Sequence, residues 1–98
     1  MDLTSKQRKY LRGLAHHLRP VAWVGNAGLS VALVRKVDEE LEHHELVKVK
    51  FTENAPQKAK IAAPELAERA YGTLCGTIGG MVILYRAHPK KPEIKLPR

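Results

Sequence analysis

Apolar positions recur at two different periods along this chain, and the switches between them mark out its elements. Leu11, Leu14, Ala15 and Leu18 fall three or four residues apart, the stripe of an amphipathic helix. Thr4 followed by Gln7 supplies a capping box ahead of that stripe. Pro20 disfavours helical backbone at Arg19, so the helix should finish near His17 or Leu18. Val21–Val24 is a short β-branched and aromatic run, which predicts a buried strand with Trp23 in the core. Gly25, Asn26, Ala27 and Gly28 then form a tight loop, and Ser30 caps a second helix that ends near His44. Leu33, Val34, Val37 and Leu41 are its apolar positions.

From Leu46 the period changes to two. Val47, Val49 and Phe51 share one face and Lys48 and Lys50 the other, the pattern of a half-buried strand. Residues 52–62 are a polar connection grading into a third helix over about 56–71. Asn54 or Ala55 is its expected cap, Pro56 lies in its first turn and Gly72 ends it. Pro64 inside this helix removes a hydrogen bond, so a kink or break is expected there. Leu74–Ile78 and Met81–Arg86 read as two strands of a hairpin turned by Gly79–Gly80. Residues 87–98 hold Pro89, Pro92 and Pro97 among Lys90, Lys91, Lys95 and Arg98, predicting an extended basic tail largely uncovered by the fold. The order α-β-α-β-α-β-β, without repeat or internal boundary, predicts a single two-layer α/β domain with a small four-stranded mixed sheet.

Charge sharpens this picture. The chain of 98 residues carries a net +7, divided into +6 over residues 1–36, −5 over 37–45 and +6 over 46–98. Two basic blocks around an acidic knot of Asp38, Glu39, Glu40, Glu42 and Glu45 point to a polyanionic partner. The acidic knot would then mark a surface that such a partner avoids. No apolar run approaches the length that spans a bilayer, and no secretory signal follows Met1, so a soluble cytoplasmic protein is expected. The single cysteine, Cys75, cannot bridge within the chain and should pack inside a strand.

The loop Gly25–Gly28 carries the strongest chemical signal. It lies between a strand and a helix N-terminus, where unpaired backbone N–H groups and the macrodipole favour anions. Glycines there let the chain turn and let a phosphodiester approach without a side chain intervening. RNA-binding KH domains clamp nucleotide backbone with a Gly-x-x-Gly loop of this kind. The plainer alternative is a βα turn that needs glycine for its dihedrals. The second helix adds an argument, because Arg35 and Lys36 precede its acids, the reverse of what the macrodipole favours. An external phosphate would supply the missing negative charge.

Other constellations carry less. The pairs His16–His17 and His43–His44 project about 100° apart on a helix and bring no cysteine, so neither makes a convincing metal site. Consecutive acids on an exposed helix scatter around its axis, and no nucleophile–base, Walker-type or dinucleotide motif occurs; a non-enzymatic protein without cofactor is expected. Five aromatics, with Trp23 assigned to the core, give no stacking platform, so recognition of backbone and shape should dominate over bases. A protein-interaction module using acidic segment 38–45 is the rival reading, and DNA binding lacks a helix-turn-helix.

Five stretches match a known family. They are L-T-S-K-Q-R-K-Y-L-R-G-L-A-H-H at 3–17, V-A-W-V-G-N-A-G-L at 21–29, L-E-H-H-E-L-V-K-V-K at 41–50, I-G-G-M-V-I-L-Y-R at 78–86 and I-K-L-P-R at 94–98. With these the chain resembles the CRM domain (chloroplast RNA splicing and ribosome maturation), in its bacterial stand-alone YhbY form. The resemblance implies a fold similar to KH-like modules and to the C-terminal domain of bacterial translation initiation factor three. It further implies RNA binding through Gly25, Asn26, Ala27 and Gly28, with association to precursor large ribosomal subunits during assembly. Lys6, Lys9, Arg12, Arg35 and Lys36 are the expected neutralising side chains, with Arg8, Lys48, Lys50 and the tail as secondary candidates. The protein is expected to be a monomer contacting ribosomal RNA, with ribosomal proteins as a further partner class. Residues 53–71 match least, Pro56 and Pro64 departing from the family pattern.

Overall fold

Thr4 opens the first helix, α1 (Ser5–Ala15), as the sequence indicates. Its Oγ1 accepts the Gln7 N–H at 3.1 Å while Gln7 Oε1 accepts the Thr4 N–H at 3.0 Å. The helix stops at Ala15, short of the expected His17 or Leu18. There the His16 N–H bonds back to Gly13 and the Leu18 N–H to Ala15, three residues rather than four. That tightening turns the chain toward Pro20 and leaves only Leu11 and Ala15 of the apolar stripe buried, with Leu14 and Leu18 exposed.

The remaining elements of this computed structural model, which describes residues 2–98, are β1 (Pro20–Val24), α2 (Val31–His43), β2 (Leu46–Phe51), α3 (Ala59–Arg69), β3 (Thr73–Ile78) and β4 (Met81–Tyr85). The strands form one mixed sheet in the order β1-β2-β4-β3, parallel between β1 and β2 and antiparallel elsewhere. The Gly79–Gly80 hairpin falls where its sequence places it, with Ile78 facing Met81 and Gly79 at φ +57°.

Both faces of the sheet are covered. Val47, Val49, Phe51, Val82 and Leu84 pack with Ala22 and Val24 against α2 and α3. Leu46, Cys75, Ile83 and Tyr85 point the other way and pack against Leu3, Leu11 and Ala15. The α/β class, element order and mixed four-stranded sheet are as expected, but α1 makes a third layer where two were expected. Strand alternation gives the reason, since β2 and β4 send large apolar side chains to both faces and each face must be covered.

The third helix departs most from its sequence reading. It begins at Ala59 on Lys58 rather than near Pro56, with no side-chain cap, and runs unbroken through Pro64. Pro64 lies on the exposed face, where water can replace the missing hydrogen bond, while Ala62, Ala63, Leu66 and Ala67 hold the other face to the core. The left-handed residue that ends the helix is Tyr71 at φ 60°, not Gly72. Gly72 answers a packing need, because a Cβ there would lie 3.0 Å from Leu41 Cδ1.

The tail, expected to be uncovered, is docked. Glu45 is the one buried charged residue among those described. Its carboxylate accepts backbone N–H groups from His88 at 2.6 Å and from Glu93 and Ile94 at 2.8 Å each. Burial alone would push its pKa up, but those three bonds and the nearby His88 outweigh it and hold the carboxyl below its ordinary range. Ala87, Ile94 and Leu96 pack beside the α1-side core. Gln7 Nε2 and Lys6 Nζ then donate to the carbonyls of Pro97 and Arg98. Prolines prevent regular structure in this segment without keeping it off the domain.

Candidate nucleic-acid interface

The β1–α2 loop is built for a fixed shape. Ala22 and Val24 anchor the end of β1 in the core, and Thr52 secures it further, its N–H and Oγ1 each donating to the Val24 carbonyl at 3.0 Å. A turn follows, closed by the Gly28 N–H to the Gly25 carbonyl at 2.9 Å, with Asn26 and Ala27 exposed at its tip. Ser30 then caps α2, its Oγ accepting the Leu33 N–H at 3.1 Å. The first N–H groups of α2, at Val31 and Ala32, precede its first intrahelical bond, and its first turn carries no acid.

The two glycines answer to different causes. Gly28 adopts φ +61°, and a Cβ there would lie 3.1 Å from Pro56 Cγ, so the fold itself demands glycine. Gly25 has neither constraint: its φ is not positive, and the nearest atom to a Cβ would be Thr52 Oγ1 at 4.0 Å. A turn requirement therefore explains Gly28 and leaves Gly25 without a structural cause.

Residues 52–57 and α3 brace the loop from the other side. Arg69 Nη1 donates to the Leu29 carbonyl at 2.8 Å and lies 3.3 Å from Glu65 Oε2. A cleft of about 200 Å³ opens between Gly28, Leu29, Pro56, Gln57, Ala62 and Arg69. Sequence reasoning did not single out Arg69 or Thr52, since neither belongs to a motif and both act through backbone carbonyls.

The basic residues do not all gather at the loop. Arg35 and Lys36 are exposed on α2, Lys36 pairing with Glu40 at 3.5 Å. Lys6, Lys9 and Arg12 belong to α1, on the opposite side of the sheet. Lys9 is exposed; Lys6 reaches the Arg98 carbonyl, and Arg12 Nη1 donates to the Cys75 carbonyl at 2.8 Å. Arg8 likewise bonds the Leu3 carbonyl at 2.6 Å, and Lys48 donates to the His16 carbonyl. Much of the basic surface thus also ties α1 and the tail to the sheet.

The acidic segment is partly consumed inside the molecule. Arg86 Nη1 lies 2.7 Å from Asp38 Oδ1 and 3.1 Å from the Ala70 carbonyl, while Nη2 donates to the Asp38 carbonyl. One guanidinium thereby joins the end of β4 to α2 and α3. With Glu40 beside Lys36 and Glu45 holding the tail, Glu39 and Glu42 are the two acids of the knot that stay exposed. Cys75 is packed as expected, and burial pushes its thiol up to about 12 against the pull of Arg12 and Arg8. Among the described residues, no three histidine, cysteine or acidic side chains come together as metal ligands, and no helix is long and apolar enough to cross a membrane.

A further reversal concerns Trp23, expected in the core and 58% exposed. Ala22 and Val24 take the buried face of β1, so the residue between them must point outward. A strict period of two could have shown this; the short apolar run concealed it.

Known proteins share this architecture. The sequence profile of the CRS1 / YhbY (CRM) domain matches residues 3–86. The Bacillus subtilis (strain 168) protein named "Probable RNA-binding protein YqeI" is 35% identical over 95 residues, covering 97% of this chain and 99% of its own. A Haemophilus influenzae protein named "RNA-binding protein" is 34% identical over 96 residues, covering 98% and 96% respectively. The solution structure of protein SAV1595 from Staphylococcus aureus superposes with a TM-score of 0.84 at 36% identity, over 98% of this chain and all of that one.

Proposed function

The chain belongs to the CRS1 / YhbY (CRM) domain family, and on that premise we propose that it binds large-subunit ribosomal RNA, or precursor 50S particles, in ribosome assembly. It is an RNA-binding, non-catalytic domain with the KH-like fold of that family. In this reading Gly25, Asn26, Ala27 and Gly28 hold the phosphate backbone at the N-terminus of α2. Arg35 and Lys36 neutralise charge beside the loop, and Lys6, Lys9 and Arg12 extend the field across α1. The protein acts as a cytoplasmic monomer.

Gly25 carries this reading. Its neighbours would accept a Cβ, so its lack of one is accounted for by a ligand that must approach the backbone closely. Gly25→Ala should fold as the wild type and bind structured ribosomal RNA more weakly. Asn26→Asp with Ala27→Asp, which places two charges at the exposed tip, should nearly abolish binding without moving the melting temperature. Affinity should fall steeply with salt, as phosphate contacts require. Unchanged binding by both loop variants would remove the loop from the mechanism. Recovery of ribosomal proteins in a nuclease-insensitive complex would favour the protein-interaction reading instead.

A further inference from the structure

The strand pairings place Trp23 opposite Lys50, Lys50 opposite Met81 and Met81 opposite Ile78. These four residues make one row across all four strands, on the face that α1 covers elsewhere. At the next row α1 is already in contact: Arg12 lies over Gly76, and Lys48 reaches the His16 carbonyl. The outer row has no such cover. Trp23 is 58% exposed, Ile78 57%, Lys50 is exposed and Met81 half-buried. Strand spacing makes the row about 14 Å long.

We propose that this row is a platform on which bases of single-stranded RNA stack, Trp23 taking a base and Lys50 an adjoining phosphate. The inference rests on the RNA-binding reading and adds a second contact surface to it, one that touches bases. Three observations select this occupant. An exposed indole offers a flat apolar face that stacks on any base. The only charges on the four strands are Lys48 and Lys50, both directed to this face, and no strand residue is acidic. Trp23 also lies two residues before Gly25, so a strand held by the loop has its neighbouring nucleotides beside this row. An apolar protein surface would have to bury Lys50 at the centre of the contact, whereas a polyanion is neutralised by it.

Trp23 is the only tryptophan in the chain, so its emission reports on this site alone. Oligoadenylate of about eight nucleotides should quench that emission saturably, and an abasic phosphate–ribose chain of equal length should not. Trp23→Ala should weaken oligoadenylate binding about tenfold, Trp23→Phe should retain most of it, and both should melt as the wild type does. Equal quenching by the abasic chain, or unchanged affinity in Trp23→Ala while the Asn26→Asp, Ala27→Asp variant loses binding, would overturn the platform and leave the loop reading intact. A wild-type protein that binds neither oligoadenylate nor structured RNA would overturn both. Emission insensitive to RNA but shifted by self-association in sedimentation would assign the row to a second copy of the chain and overturn the proposal.

Discussion

Arg12 lies across Gly76 so closely that a Cβ on the glycine would stand 2.8 Å from Arg12 Cδ. Gly76 follows a bulge in β3, has φ +152°, and leaves the Cys75 carbonyl free to accept Arg12 Nη1. Two strains therefore meet in Gly76→Ala, one of backbone and one of packing. The substitution should cost about 2 kcal/mol of unfolding free energy. Arg12→Ala should cost about 1–2 kcal/mol through the lost charged hydrogen bond. Denaturant titration checks both. If Gly76→Ala is neutral, the arginine is not seated where the structure shows it.

Glu45→Gln tests the docked tail. A glutamine presents one oxygen where the carboxylate presents two to three N–H donors, so an N–H faces an N–H. The expected cost is about 1–3 kcal/mol, with faster hydrogen exchange at His88, Glu93 and Ile94. The pH dependence has a definite sign. The folded-state pKa lies below the unfolded one, so this contribution is complete above the ordinary glutamate range and is lost as pH falls through the lowered folded value. Tail amides whose protection, relative to the intrinsic exchange rate at each pH, is the same on both sides of that window would contradict the clasp.

Exchanging Arg35 and Lys36 for Glu should separate stability from function. Acids in the first half of α2 suit its macrodipole, but glutamates at 35 and 36 would each face an acid one turn on, Glu39 and Glu40. The Lys36–Glu40 pair would also be lost, so stability should move by less than about 0.5 kcal/mol. Affinity for structured RNA should fall, and its log–log salt slope should shrink by about 1–2. Undiminished RNA affinity in the folded variant would mean these cations serve no phosphate.

Cys75 should be nearly inert in the folded protein. Its thiol is raised to about 12 by burial, so the thiolate is scarce at neutral pH. Alkylation by iodoacetamide at about pH 8 should be slower than in the unfolded chain by on the order of a thousandfold. Because the folded thiol and the Tyr85 phenol, the latter also buried and near Glu45, both hold their protons more tightly than when unfolded, stability should be complete below their unfolded values and decline as pH rises through the folded ones. Thermal melts across alkaline pH would show it.

Elements whose signals are local were legible in the sequence. The Thr4–Gln7 box, the Ser30 cap, the alternation from Leu46 to Phe51 and the Gly79–Gly80 turn each involve residues a few positions apart, and each appears as read. What failed depends on distant partners. Trp23 points outward because β1 takes its register from β2, and the tail docks because Glu45 waits more than forty positions upstream. Pro64 is tolerated because its face of α3 is exposed. The loop at Gly25–Gly28 was found by motif; the difference between its two glycines needed neighbours from Pro56 and Thr52.

The bonds from Lys6 and Gln7 to the carbonyls of Arg98 and Pro97 span 92 and 90 positions of chain. On a translating ribosome, α1 leaves the exit tunnel long before those carbonyls are synthesised, so its fastening is deferred and the closure it requires is among the most entropically costly the chain can make. β1, α2 and the Gly25–Gly28 loop between them can form earlier, from shorter closures. A nascent chain of this protein should therefore present its loop before its first helix is locked down.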